Sequence, residues 1–149
     1  MNSKQISVLA AFLAAKVDYA VVGGIAVIAH GYVRTTNDLD IFIRPTEDNA
    51  RAAFEALRGL GVPLEGMDFS DLLHDEEHLR FGANEDHIDI LASIGDMPFD
   101  QVWQNRIETD IEGIRIPFIS KPDLIENKLQ VGRHRDLSDV EALERIPEP

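Results

Sequence analysis

HGYVRTTNDLDIFIRP, residues 30–45, holds the contradiction on which the fold turns. Leu39 to Ile43 reads as a buried strand, yet Asp38 and Asp40 stand at its start. Side chains two apart on a strand share a face, so both carboxylates project together while Leu39, Ile41 and Ile43 face the core. Burying one carboxylate is costly, and two neighbouring ones more so, unless a cation lies between them. The spacing predicts a cation clamp at the mouth of a sheet.

Upstream, YAVVGG (residues 19–24) is a short apolar strand ending on Gly23 and Gly24, and IAVIAHG continues as a short apolar helix stopped by Gly31. Glycines let the backbone come close to a ligand, and the following helix turns its first N–H groups toward an anion such as a triphosphate. Downstream, HLRFGA and HIDILAS alternate apolar and polar residues around Asn84, Glu85 and Asp86, which predicts a hairpin. Asp89 lies between Ile88 and Ile90 in that hairpin, where a charge requires a reason. Asp38, Asp40 and Asp89, completed by water, suit a hard ion such as Mg²⁺.

The remaining elements frame this centre. Residues 4–16 carry apolar side chains at helical spacing, and Thr46 is positioned to cap a helix running to Gly59. Residues 61–78 are acidic and mixed, open between a short helix and a loop. Phe99 to Arg106 predicts a helix, and IETDIEGIRIPFI a second hairpin turning at Glu112–Gly113. Ser120 can cap a further helix, with Pro122 in its first turn and Asp123 answering the capping box. Gly132 interrupts that helix, and residues 133–146 form the last one.

Composition narrows the function classes. A chain of 149 residues with 44% hydrophobic and 28% charged residues is an ordinary globular domain, read as one unit over 1–149. With no cysteine, disulfides, thiolate zinc sites and cysteine nucleophiles are excluded. The net charge of −13 argues against a long nucleic-acid footprint, although Lys121, Lys128, Arg133, His134 and Arg135 make a local basic strip suited to a small anion. HDEEH places Asp75 where a zinc-protease motif needs Glu, and no GxSxG is present. No apolar run approaches the roughly 18 residues that span a bilayer, and MNSKQIS lacks a secretory core, so the expected setting is cytoplasmic, without membrane contact.

The order GG, thirteen residues, DLDIFI, then HIDIL resembles the polymerase-β-type nucleotidyltransferase superfamily, with its pattern hG[GS], spacer, Dh[DE]h and a third strand carboxylate. GGIAVIAHGYVRTTNDLDIFI together with KPDLIENKLQVGRHRDLSDVEAL is similar to small bacterial MNT-like nucleotidyltransferases, some of them in toxin–antitoxin and abortive-infection systems. The resemblance implies an α/β (α+β) domain with a mixed, twisted sheet and flanking helices. It implies two Mg²⁺ ions, or Mn²⁺, on Asp38, Asp40 and Asp89, with Asp89 also the general base. Gly23 and Gly24 would cradle phosphates and Lys128 would reach them from a helix. Gly24 stands where many members carry Ser, so Arg34, Thr35 and Thr36 are candidates to replace the lost hydroxyl.

The implied activity is transfer of NMP from an NTP to the hydroxyl of a small molecule, a protein or an RNA 3′ end, releasing pyrophosphate. The second reading is an inactive module of the same fold that binds a protein partner, as in a toxin–antitoxin pair. His30 reads as a helix cap or a substrate contact. Arg133, Arg135 and Asp136 read as ion pairs fastening the last helix or as ligand contacts.

Overall fold

The strand expected at the decisive stretch forms at Leu39–Ile43 (β2), in the interior of the sheet. The computed structural model describes residues 1–32, 34–74, 79–83 and 86–147. Within them the chain runs through α1 (Ser3–Ala14), β1 (Tyr19–Val22), α2 (Gly23–Ala29), β2, α3 (Glu47–Gly59), a 3₁₀ turn (Phe69–Leu73), β3 (Leu79–Ala83) and β4 (Asp86–Leu91). It continues through α4 (Phe99–Asn105), β5 (Ile107–Ile111), β6 (Ile114–Phe118), α5 (Lys121–Val131) and α6 (His134–Arg145). The described strands order as β3-β4-β2-β1-β6-β5. β2–β4 and β1–β6 pair in parallel and the other neighbours antiparallel, giving the mixed sheet with flanking helices of a single α+β domain.

Several local expectations shift. Gly23 and Gly24 open α2 rather than close β1, because Gly23 takes φ +69°, a conformation that ends the strand's extended run. Thr46 is the N-cap residue of α3, but its hydroxyl makes no capping bond. Ser120 Oγ does accept the Asp123 N–H (3.3 Å), whereas the Asp123 carboxylate is drawn away by Gln101 and Asn105 of α4. The acidic segment resolves into the 3₁₀ turn; Asp75, His78, Asn84 and Glu85 lie outside the described residues, as do Glu148 and Pro149. The second hairpin turns at Glu112–Gly113 as expected, both with positive φ, the geometry that matches strand twist.

β2 is buried on both faces except at Asp40. Leu39, Ile41 and Ile43 are fully buried, and so is Phe42 on Asp40's own face, where its ring meets Phe99 of α4 edge-on at 5.1 Å. That face is thus open only at the end carrying Asp40, and closed by apolar packing at Phe42.

The far end of β2 is pinned by one buried amide. Asn49 accepts the Asp18 N–H at 2.8 Å and donates to the carbonyls of Asp18 and Arg44, both at 3.0 Å. At the near end Gln5 caps α1 with Asn2 and donates to the Asn37 carbonyl (2.6 Å), fixing the chain one residue before Asp38. Asn49→Ala removes one bond from each of three backbone groups but strands only the Asp18 N–H, because the Asp18 and Arg44 carbonyls keep the Arg44 and Thr46 N–H groups. It should lower stability by about 1–2 kcal/mol, seen as a lower urea midpoint at unchanged m. A midpoint equal to that of the native chain would show that water satisfies them equally well.

Candidate active site: a row of charge across the sheet

Strand register builds the site. Val22 pairs with Asp40, Asp40 with Asp89, and Asp89 with Arg80, so one row crosses four strands. Directly opposed residues share a face, which brings both carboxylates and the arginine together. Arg80 forks onto Asp89, Nε to Oδ1 at 2.7 Å and Nη2 to Oδ2 at 3.2 Å. The Asp89 side chain is buried, at 5% exposure, whereas Arg80 remains half in solvent at 52%.

Asp40 carries the strain of this crowding. Burial pushes its carboxyl up to about 7, assisted by the charge of Asp89, a hydrogen bond shared with Asp89 and the charge of Asp38, against a downward pull from Arg80. Two adjacent acids sharing a proton is the signature of a site short of positive charge. Gly23 completes the packing: a Cβ there would lie 2.2 Å from Asp40 Oδ2, so the glycine is required both by its φ and by the carboxylate beside it.

Asp38 stands apart. It is the more exposed acid, and its Oδ1 accepts the backbone N–H of His87 at 3.1 Å. Among the described residues, no group of three or more His, Cys, Asp or Glu side chains converges on one metal position. The Asp40–Asp89 pair nonetheless fits a hard cation, which would take the place of the shared proton between two oxygen ligands. Asp38 lies outside such a grouping, with its Oδ1 taken by the His87 N–H and its Oδ2 not engaged by that bond.

One cleft meets this row and a second borders Asp38. One, of about 190 Å³, is lined by Gly23, Asp40, Asn127, Lys128 and Arg133; the other, of about 520 Å³, lies beside Asp38 among Tyr32, Arg34, Thr36, Arg135 and Ser138. Between them runs an ion chain, mostly buried but exposed at Arg133. Arg34 Nη1 holds both oxygens of Asp139 (2.8 and 2.9 Å), Lys128 Nζ lies 2.9 Å from Asp139 and 3.4 Å from Asp136, and Arg133 Nε donates to Asp136 at 2.7 Å. Burial alone would raise Asp136, but the Arg133 hydrogen bond and the charges of Lys128 and Arg133 hold it below the usual carboxylate range.

This places the other predicted residues. A Cβ on Gly24 would meet Arg34 Nη2 at 2.7 Å and Thr36 Oγ1 at 3.0 Å, so these two side chains fill the space where a serine would stand. Thr35 lines the larger cleft. Lys128 is neither solvated nor free; it shares the Asp40 cleft with its ammonium committed to two carboxylates. His30 caps α2 and its Nε2 meets the Ile119 carbonyl at 2.8 Å, a structural bond rather than a substrate contact. Sequence reasoning missed Arg80, which alternation alone does not distinguish from any surface arginine. It also missed Asp139, although its position three residues after Asp136 puts both on one helix face toward Lys128.

Similarity to known proteins gives the family and the fold. Residues 4–146 match the model of a family described as "Nucleotidyltransferase of unknown function (DUF6036)". The chain belongs to this family. Among solved structures, the lincosamide antibiotic adenylyltransferase LnuA is similar at 20% identity and TM-score 0.63, covering 99% of this chain and 98% of that one. The antibiotic-resistance factor ANT(2'')-Ia is 16% identical at TM-score 0.59, covering 96% and 84%. A nucleotidyltransferase, TM1012 of Thermotoga maritima, is 16% identical at TM-score 0.60, covering 93% and 88%. At such identities the likeness is one of fold, and the fold is one that nucleotidyltransferases adopt. No curated protein sequence matches.

The raised Asp40 carboxyl has a measurable consequence. The folded chain keeps a proton that the unfolded chain has released, so the penalty is absent below about pH 4 and grows as pH rises toward about 7. Metal-free protein should lose a few kcal/mol over that window, and Asp40→Asn should flatten the loss in urea denaturation followed across it. An equally steep profile in the variant would place the titration elsewhere.

Proposed function

We propose that this family member transfers an NMP from an NTP to an acceptor hydroxyl, releasing pyrophosphate, and that the reaction depends on a divalent metal. The single observation carrying the reading is the cross-strand pair Asp40–Asp89, two acids in register beside a glycine turn. Asp40 and Asp89, joined by Asp38, would hold Mg²⁺, with Mn²⁺ as a substitute and two ions as the expected number. The metal would supply neutralisation of the triphosphate and of the attacking and leaving oxygens.

The chain's own residues account for the remainder. Gly23 and Gly24 offer backbone N–H groups unobstructed by a Cβ to the phosphates, with the Arg34 guanidinium and Thr36 hydroxyl against that turn. Lys128, held by Asp136 and Asp139 in the same cleft as Asp40, adds positive potential without adding mobility. Asp89 takes the proton of the acceptor hydroxyl. The acceptor oxygen then bonds to the α-phosphorus, the bond from that phosphorus to the bridging oxygen breaks, and its electron pair leaves with pyrophosphate.

Of the three acceptor classes, a small molecule is best supported. The cleft beside Asp38, at about 520 Å³, has the size of a small-molecule site, and the net charge of −13 disfavours an RNA 3′ end. A protein hydroxyl is the second choice. The inactive partner-binding module is not favoured, since all three carboxylates are present, and a toxin–antitoxin partner rests on resemblance alone. No helix among the described residues is long and apolar enough to cross a membrane, and a cytoplasmic setting would supply both NTP and Mg²⁺.

Calorimetric titration of each NTP, with Mg²⁺ and with EDTA, tests the site. Binding should require Mg²⁺ and be lost in Asp38→Ala/Asp40→Ala while that variant stays folded by circular dichroism. Absence of binding by folded native protein would sink the proposal.

A further inference from the structure

Arg80 occupies a position that NMP transfer does not by itself explain. Its fork takes one N–H bond to each oxygen of Asp89, and Asp89 is also hydrogen-bonded to Asp40. The carboxylate that the reaction needs as ligand and base therefore already carries three hydrogen bonds, two of them from Arg80. Of the two partners, Asp89 is the one that cannot move: its side chain is buried and it pairs in register with β2 on one flank and β3 on the other. Arg80, half exposed at the edge strand of the sheet, can leave without opening the core.

We infer that Arg80 is a positioning residue that acts as an internal stand-in for the metal, holding Asp89 until a triphosphate offers its guanidinium another anion. The inference rests on the reading of the site as a metal–NTP centre. A guanidinium fork matches phosphate as well as carboxylate geometry, so the exchange replaces one charge-assisted pair by another of the same kind. When the fork leaves, Asp89 recovers the lone pairs that a cation and a hydroxyl proton require. Metal alone competes with Arg80 for Asp89; metal arriving with nucleotide does not. The consequence is coupling: each of metal and nucleotide binds better when the other is present.

The test reads binding, not turnover. Mn²⁺ affinity of the nucleotide-free protein is measured by electron paramagnetic resonance, and that of preformed Mn²⁺·α,β-methylene-ATP by calorimetry, on the native chain, Arg80→Gln and Arg133→Gln. Arg133 is the control because its charge also acts on Asp40, but its hydrogen bonds go to Asp136 and not to Asp89. Arg80→Gln should bind free Mn²⁺ about tenfold more tightly than the native chain, bind the Mn²⁺·nucleotide no more tightly, and so lose most of the coupling. Arg133→Gln, which can weaken nucleotide binding through the loss of its charge, should tighten free Mn²⁺ far less than Arg80→Gln does.

Three results would overturn the inference. Free Mn²⁺ affinity that is unchanged or weaker in Arg80→Gln, while the native chain binds Mn²⁺·nucleotide, would reduce Arg80 to a structural partner of Asp89. Equal tightening in both variants would assign the effect to the general field. Failure of the native chain to bind Mn²⁺·nucleotide at all would remove the metal–NTP reading and this inference with it.

Discussion

Two carboxylates placed opposite one another on parallel strands are the constraint from which the rest of the site follows. Asp40 and Asp89 are brought together by the register of β2 on β4, and that register is set by the apolar pairs on either side, Leu39 with Ile88 and Ile41 with Ile90, all fully or almost fully buried. A slip of one residue would turn these apolar side chains to the wrong face. Core packing therefore enforces a pairing that electrostatics opposes. The neighbours answer that repulsion: Gly23 leaves room for the Asp40 carboxylate, Arg80 supplies a cation from the next strand, and Asp38 turns to a backbone N–H.

The C-terminal helices belong to the same centre. Asp136 and Asp139 of α6 gather Arg34, Lys128 and Arg133, so three positive groups from three places in the chain surround two buried acids. A mostly buried ion chain of this kind is weak evidence for stability, because desolvation offsets the attraction, but it fixes positions closely. Here it fixes an arginine over the glycine turn and a lysine facing the Asp40 cleft. In a chain of net charge −13, such a concentration of positive groups beside the acidic row is what an anionic substrate would need.

Much of this was legible in the sequence. Alternation located β2, β3 and β4, and a charge isolated among isoleucines located Asp89, because burial leaves a charged residue there without an ordinary explanation. The glycine pair and the two aspartates stood out through their order along the chain, a strand, a glycine turn, a second strand and a later strand carboxylate, rather than through either spacing alone. What could not be read was register: nothing in HLRFGA says that Arg80 lies opposite Asp89. Nor does the composition of α5 say that Lys128 is buried between two acids, since a helical lysine is ordinarily solvated. The diversion of Asp123 to Gln101 and Asn105 shares this cause, decided by a tertiary neighbour.

The most direct test of the central claim is anomalous diffraction from crystals grown with Mn²⁺ and a non-hydrolysable NTP. The account predicts a Mn²⁺ peak within coordination distance of both Asp40 and Asp89, with the Arg80 guanidinium displaced from Asp89. Nucleotide bound with no Mn²⁺ on either aspartate would contradict it.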